Sequence, residues 1–263
     1  MTTAELRGAW ALILGASSGF GAATARALAR KGVNIFGVHL DRKATLPQVE
    51  ALVEELQGLG VRVRYFNVNA ADAEKRAEVL EAMGQEMDDG RRVRVLLHSL
   101  AFGALRPFVG EGAVTQAQME MTLDVMAHSL VYWTQDLVAR GYFEENARIF
   151  AMTSSGGRRV WAHYGAVSAA KAALESHVRQ LALELAPRRI TVNAIRAGVT
   201  DTPALRKIPG HDRMVEVARS RNPMGRLTEP EDVAEALALL AEPASYWITG
   251  NVIGVDGGED ITG

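Results

Sequence analysis

The sequence predicts an α/β fold with a parallel sheet of seven strands and helices on both of its faces. Short runs of β-branched or aliphatic residues alternate with longer segments of helical periodicity, as in sheets whose strands are joined by crossover helices. No proline- or serine-rich linker and no internal repeat divides the 263 residues. With right-handed crossovers, we therefore expect one doubly wound domain over residues 1–263.

Each element follows from one of these runs, taken in order along the chain. The short apolar runs predict strands at residues 9–14, 34–39, 62–67, 93–97, 148–152, 190–195 and 252–255. The longer segments, of which the first is rich in alanine, predict helices at 19–30, 46–59, 73–83, 116–140, 164–185 and 230–240. The least regular stretch, residues 196–223, is too long for an ordinary connection, and it is interpreted as a substrate lid.

The composition excludes several classes of protein. Lys and Arg number 29 against 31 Asp and Glu, so the formal net charge of −2 leaves no broad basic field for nucleic acid. Without cysteine, no disulfide, thiolate metal site or cysteine nucleophile is possible, and the six histidines show no metal-binding spacing. His98 and His128 are interpreted as packing or hydrogen-bonding residues. No run of about 18 apolar residues occurs, so we expect no membrane contact and a cytoplasmic location.

A glycine-rich turn follows the first predicted strand and begins the first predicted helix. It reads Gly15-Ala16-Ser17-Ser18-Gly19-Phe20-Gly21. In such a unit one glycine allows the tight turn, one lets the backbone approach a pyrophosphate, and one lets helix and strand pack closely. The helix N-terminus adds free N–H groups and the positive end of its dipole. The turn therefore predicts a Rossmann-like, NAD(P)-binding domain, and the alternative is a glycine-rich packing turn.

The spacing Gly-x-x-x-Gly-x-Gly resembles that of the short-chain dehydrogenase/reductase family, and three later segments support this resemblance. Asn67-Val68 is similar to the family's turn that holds adenine. The run from Asn193 to Gly198 is similar to its Asn-Ala-Ile-x-Pro-Gly signature, with Ala197 in place of proline. Gly250 and the run Val255-Asp256-Gly257-Gly258 are similar to its closing strand. The resemblance covers residues 8–258 and implies an NAD(P)-dependent oxidoreductase, which in this family is usually a homotetramer.

The short-chain family generally catalyses with a serine, a tyrosine and a lysine, and its tyrosine lies four residues before the lysine. Here Val167 lies four residues before Lys171, and the nearest phenol is that of Tyr164, seven residues before it. Seven helical steps turn about 700°, so the two side chains share a face, about 10 Å apart along the axis instead of about 6 Å. Ser154 lies where the ketone-reducing members keep their catalytic serine; the alternative is a polar turn at a strand end.

A tyrosine seven residues before the lysine resembles the enoyl-acyl-carrier-protein reductases of this superfamily. The segment His98-Ser99-Leu100-Ala101-Phe102, Met126 at the place of a catalytic asparagine, and Ala197-Gly198 in place of Pro-Gly also resemble these enzymes. They reduce a C=C bond conjugated to a thioester, so negative charge develops on the thioester oxygen. A donor displaced by one turn suits that geometry and would stabilise the enolate oxygen. The implied substrate is a trans-2-enoyl thioester of acyl carrier protein or CoA.

The resemblance also implies roles for individual residues. Tyr164 would donate to the thioester oxygen, Lys171 would bind the nicotinamide ribose, and Ser154 would contact the substrate. The residues expected to bind the cofactor are Gly15, Ser17, Ser18, Gly19, Phe20, Gly21, His39, Asp41, Arg42, Asn67, Val68, Ser99, Leu100, Ala101, Lys171, Ala197, Gly198, Thr200 and Thr202.

The choice between NADH and NADPH depends on the end of the second predicted strand. An acidic residue there favours NADH by binding the ribose 2′-hydroxyl, whereas a nearby arginine favours a 2′-phosphate. The usual acidic position aligns with His39, and Asp41, Arg42 and Lys43 follow it. The adjacent basic pair gives a slight preference for NADPH, and NADH stays open.

Two other functions remain open. The first is a ketone or alcohol oxidoreductase of the same fold, such as a 3-oxoacyl thioester reductase, in which Ser154 and Tyr164 act as the acid pair. The second is a non-catalytic dinucleotide-binding sensor, which only Val167 favours, because this side chain can neither donate nor accept a proton.

Overall fold

A parallel sheet forms the centre of the molecule. The computed structural model describes residues 6–87 and 89–262. In these residues the strands are β1 (Trp10–Leu14), β2 (Asn34–His39), β3 (Val63–Asn67), β4 (Val93–His98), β5 (Phe143–Ser154), β6 (Thr191–Ala197) and β7 (Val252–Val255). Their spatial order is β3-β2-β1-β4-β5-β6-β7, and every pairing is parallel. The predicted doubly wound, seven-stranded fold is confirmed, and its switch point lies between β1 and β4.

Helices cover both faces of this sheet. They are α1 (Gly19–Arg30), α2 (Leu46–Gly58), α3 (Ala73–Glu86), α4 (Gln116–Leu123), α5 (Ser129–Ala139), α6 (Gly165–Leu185), α7 (His211–Arg221) and α8 (Pro230–Leu240). Among the described residues, no helix is both long enough and apolar enough to cross a bilayer.

Two hydrophobic cores lie on opposite faces of the sheet. Successive residues of β1 alternate between them, since Trp10 and Leu12 belong to one core and Ala11 and Ile13 to the other. The first core includes residues of α3, α5 and α6, and the second includes residues of α1, α2 and α8. Because both faces are covered, the strands read as continuous apolar runs, which is why their positions could be predicted.

The long helix predicted at residues 116–140 is interrupted. A π-helical segment, Asp124–His128, separates α4 from α5. A π-helical segment inserts one extra residue into the helix, and the apolar periodicity of 3.6 residues used for the prediction gives no signal for such an insertion. Within it, the carbonyl of Val125 accepts a hydrogen bond from Ser129 Oγ at 2.8 Å. The π segment contributes Met126 to the cavity described below.

Two further elements differ from the prediction. Strand β5 begins five residues before the predicted residue 148, where Phe143 pairs with Val93. The added stretch, residues 143–147, is mostly polar, and its Asn146 has φ of 60°, in the left-handed region. The sequence of this stretch therefore lacks the apolar run that predicts a buried strand. Helix α7 lies within the segment predicted to be irregular. Its residues are mostly charged or polar, and of its side chains only Ala218 is buried, which explains why the helix was missed.

Candidate active site

The glycine-rich turn lies between β1 and α1, beside the end of β4. Gly15 has φ of 89°, and a Cβ on it would overlap the carbonyl oxygen of Ser99. A Cβ on Gly21 would overlap the carbonyl oxygen of Gly15. Ser18 is the N-cap of α1 but makes no side-chain hydrogen bond to its N–H groups, so these remain available to an anion. These features fit the pyrophosphate of a dinucleotide.

Asp41 lies just beyond β2 and faces this turn. Its carboxylate accepts a hydrogen bond from Thr45 Oγ1 at 2.8 Å and lies 2.9 Å from His39 Nδ1. Burial raises the pKa of Asp41, but hydrogen bonds with Ser17, Thr45 and His39 outweigh it, and the net pKa is lowered. Asn67 holds the backbone of Asp41 on both sides, accepting from its N–H and donating to its carbonyl. This edge therefore presents a fixed negative charge beside the phosphate turn.

The other predicted cofactor residues lie in three places. Arg42 has an exposed side chain, and Val68 packs against the first core. Ser99 and Leu100 lie directly against Gly15 at the switch point. The remaining predicted residues, Phe20, Ala101, Lys171, Ala197, Gly198, Thr200 and Thr202, line one cavity.

Tyr164, Lys171 and Ser154 line this same cavity. Tyr164 is the N-cap of α6 instead of its first residue, with φ of −95° and ψ of 1°. Lys171 is 6% exposed, and its Nζ donates to the carbonyl of Met152 in β5 at 2.7 Å. Ser154 Oγ accepts a hydrogen bond from the N–H of Gly156 at 3.1 Å. The structure therefore brings together the three predicted catalytic side chains at the end of β5.

Burial sets the protonation of these groups. It raises the pKa of Tyr164, and a weaker opposing effect comes from the hydrogen bond with Ser154. The phenol is therefore protonated at neutral pH, as a hydrogen-bond donor must be. Burial lowers the pKa of Lys171 to about 8, while the charge of Glu175 works in the opposite direction. His98 is neutral, because burial first and the charge of Lys171 second lower its pKa to about 3; its Nε2 lies 2.8 Å from Ser129 Oγ.

The lowered pKa of Lys171 predicts a pH dependence. Above about pH 8 the ammonium loses its proton, so kcat/KM should fall along an alkaline limb centred near that pH. Glu175 lies one turn further along α6 and raises the pKa of Lys171, so Glu175→Gln should move this limb to lower pH. Glu184→Gln, at an exposed position of the same helix, should leave the limb in place. An unshifted limb in Glu175→Gln would assign the titration to another group.

The cavity has a volume of about 590 Å³, within the range of small-molecule sites. Its polar end carries the hydroxyl and ammonium groups of Ser154, Tyr164 and Lys171. Its other walls are largely apolar, with Leu105, Met126, Val160, Trp161, Leu205, Ile208, Met214 and Val217 among the lining residues. Four of these belong to the segment predicted as a lid, and the opening and closing of that segment stay a prediction.

Sequence reasoning missed two acidic residues at this site. The carboxylate of Glu259 lines the cavity and accepts a hydrogen bond from the N–H of Val199 at 3.0 Å. Asp260 pairs with Arg158, Arg159 and Arg196. Neither contact has a local sequence signal, because Asp260 is 102 residues from Arg158 along the chain.

A parallel sheet whose switch point holds a glycine cradle, beside a tyrosine and a lysine at one cavity, defines a dinucleotide-dependent oxidoreductase. A family model described as "Enoyl-(Acyl carrier protein) reductase" matches residues 15–259. The chain therefore belongs to this family of short-chain dehydrogenases/reductases, and it is an NAD(P)-dependent oxidoreductase. The family predicted from the sequence motifs is confirmed.

Individual relatives have different acceptors in their names. The chain is 31% identical to the 3-oxoacyl-[acyl-carrier-protein] reductase of Thermotoga maritima, with 97% of this chain and 98% of the relative covered. It is 30% identical to the L-xylulose reductase of Mesocricetus auratus over 98% of each chain. The crystal structure of the NADH-dependent enoyl-[acyl-carrier-protein] reductase of Aquifex aeolicus matches with a TM-score of 0.84 and 27% identity, over 98% of each chain. This similarity establishes the oxidoreductase family but not the acceptor.

Proposed function

We propose that the protein reduces the C=C bond of trans-2-enoyl thioesters, carried on acyl carrier protein or CoA, with a nicotinamide cofactor. The observation that carries this proposal is the position of the phenol. Val167 occupies the place four residues before Lys171, packs with Met126 and Ala170, and lines the cavity together with Met126. Tyr164 lies at the very start of α6 and lines the same cavity. A donor in this position suits an oxygen that lies three bonds from the carbon receiving hydride, instead of the single bond that separates them in a ketone.

A reduced nicotinamide cofactor, held at the turn of Gly15 and Gly21, would supply hydride to the β-carbon of the substrate. The phenol of Tyr164 donates a hydrogen bond to the thioester oxygen, on which negative charge develops. The ammonium of Lys171 adds positive charge at the same end of the cavity and is directed by the carbonyl of Met152. The apolar walls bind the acyl chain and lower the effective dielectric constant around these groups, which strengthens both interactions. The α-carbon takes its proton from water.

The proposal is tested by comparing thioesters under identical conditions. Crotonyl-CoA and acetoacetyl-CoA differ in the bond that is reduced, and both are followed by loss of absorbance of the reduced cofactor. We expect kcat/KM for the enoyl thioester to exceed that for the oxoacyl thioester by about 100-fold or more. The reverse order would assign the protein to the carbonyl reductases. Cofactor binding without turnover of either thioester would indicate an oxidoreductase with a different acceptor.

One contact favours a second function, the reduction of a 3-oxoacyl thioester. Ser154 occupies the position of the catalytic serine of ketone-reducing members, and its hydroxyl lies near enough to that of Tyr164 to lower the pKa of the phenol. Two hydroxyl groups in contact can bind one carbonyl oxygen and donate a proton to it. Ser154→Ala separates the two functions, since it should strongly reduce turnover of a ketone and have a small effect on an enoyl thioester.

We also propose that NADH is the better cofactor. The basic pair Arg42 and Lys43 gave a slight preference for NADPH in the sequence, and the position of Asp41 favours NADH instead. The charged group held beside the phosphate turn is the carboxylate of Asp41, whereas the side chain of Arg42 is exposed. A carboxylate in this place accepts hydrogen bonds from ribose hydroxyl groups and repels a 2′-phosphate.

Asp41→Asn should therefore weaken the preference for NADH. The substitution keeps the shape of the side chain and removes its charge, so kcat/KM for NADPH should rise by about tenfold while that for NADH falls. Steady-state kinetics with both cofactors gives the ratio. Glu54→Gln removes one negative charge from an exposed position of α2 and should leave the ratio unchanged. An unchanged ratio in Asp41→Asn would show that another group selects the cofactor.

A further inference from the structure

We infer that Asp260 is a positioning residue, whose carboxylate fixes the loop between Ser154 and Tyr164 in the conformation that presents the phenol to the cavity. The inference rests on the proposed role of Tyr164 as the hydrogen-bond donor to the substrate. It concerns a short turn, Glu259–Ile261, which follows β7.

Three arginines from two separate elements converge on Asp260. Arg158 and Arg159 belong to the loop before Tyr164; the first lies 2.6 Å from Asp260 Oδ2 and the second 3.3 Å from Oδ1. Arg159 also donates to the backbone carbonyl of Asp260 at 2.9 Å. Arg196 of β6 lies 3.1 Å from Oδ2. The side chain of Asp260 is only 14% exposed, and a network of this kind contributes more than an isolated surface pair.

The loop held in this way contains a strained residue next to the catalytic phenol. His163 has φ of 64°, in the left-handed region, which is unfavourable for a residue with a Cβ. Such a conformation persists only where the surroundings hold it. Within the part of the chain that the structure describes, the backbone N–H groups of this loop bond locally, as in Arg158 N–H to Ser155 O at 3.0 Å and Tyr164 N–H to Trp161 O at 3.2 Å. The charged anchors to Asp260 therefore supply long-range support, in addition to the hydrogen bond from Trp161 Nε1 to the carbonyl of Pro209 at 3.3 Å.

The turn that contains Asp260 is also hydrogen-bonded to the segment after β6, which is expected to bind the cofactor. Glu259 Oε2 accepts from the N–H of Val199 at 3.0 Å, in the segment that follows β6. A Cβ on the adjacent Gly198 would come within 2.9 Å of the same carboxylate. The turn thus connects the segment expected to hold the nicotinamide with the loop that holds the phenol. Asp260 acts on the relative position of these two parts and is not among the residues that line the cavity.

Asp260→Asn tests this role, because it keeps the shape of the side chain and removes the charge. We expect kcat for the thioester that the enzyme reduces to fall by about tenfold, while the Kd of the cofactor changes by less than about twofold. Asp260→Glu, which keeps a carboxylate, should recover part of the loss. Glu55→Gln is the matched control, since it breaks an arginine–carboxylate pair with Arg26 between α1 and α2. It should leave kcat unchanged.

A second measurement does not depend on the substrate. The chain has five tyrosines, so labelling with 3-fluorotyrosine gives few fluorine NMR signals, and the signal of Tyr164 is assigned by its loss in Tyr164→Phe. In Asp260→Asn this signal should shift or broaden, and in Glu55→Gln it should not. If the Asn variant does not fold, the same two measurements are made on Arg158→Gln. Unchanged kcat with an unchanged Tyr164 signal would overturn the inference.

The two proposals can fail separately. If Tyr164→Phe turns over normally while the Tyr164 signal still moves in Asp260→Asn, the positioning contact stands and the catalytic role of the phenol fails. If Tyr164→Phe is inactive and Asp260→Asn changes neither kcat nor the signal, the catalytic role stands and the positioning role fails.

Discussion

Tyr164→Phe is expected to lower kcat for an enoyl thioester by about 100-fold or more, because removal of one oxyanion donor from a buried site has an effect of that size. The substitution removes only the hydroxyl group, so the ring still packs against Gly156, where a Cβ would overlap it. The Kd of the cofactor should stay within about twofold, since the phenol is assigned to the substrate. Single-turnover kinetics and a cofactor titration measure the two quantities.

The control for this experiment is Tyr246→Phe, which removes a hydroxyl group at a side chain that is 52% exposed and outside the cavity. It should turn over at the normal rate. Normal turnover by Tyr164→Phe as well would remove the phenol from the mechanism. Weakened cofactor binding in Tyr164→Phe, with kcat unchanged, would place the phenol against the cofactor instead of the acyl group.

The parts of the fold that were predicted closely are those with a local physical cause. Helix α1 begins at Gly19 and ends at Arg30 as predicted, because the glycine turn sets its start and the buried alanines set its face. Helix α8 also has the predicted bounds, and its first residue is Pro230, whose missing N–H costs nothing there. The π segment had no comparable signal, because its effect is to shift the helical face by one residue.

The site divides in the same way. The cradle of Gly15 and Gly21 and the pair of Tyr164 and Lys171 were predictable, because each motif is short and its chemistry depends on spacing. The orientation of Asp41 toward Ser17 was not, because it depends on Asn67 from the neighbouring strand. Glu259 and Asp260 were missed because their contacts also depend on residues from other elements, which here are still further away along the chain. Their partners come from β6, from the segment that follows it and from the loop after β5, and no periodicity relates such distant residues.

Lys171→Met is expected to lower kcat/KM by about 1000-fold with little loss of stability. The ammonium is 6% exposed, and burial has already lowered its pKa to about 8, so the folded protein bears an unfavourable desolvation of this charge. Methionine has a similar length and no charge, so that penalty disappears. The carbonyl of Met152 loses its donor, which costs about 1–3 kcal/mol. The two effects oppose each other, so we expect the free energy of unfolding to change by less than about 2 kcal/mol.

This combination separates a catalytic lysine from a structural one. Denaturant unfolding gives the stability, and steady-state kinetics with cofactor and thioester varied in turn gives the activity. Lys75→Met, at an exposed position of α3, should alter neither quantity. A large fall in stability that accompanies the loss of activity would make Lys171 a structural residue. A buried charge that contributes little to folding, yet cannot be removed without loss of turnover, is held in the structure for its chemistry.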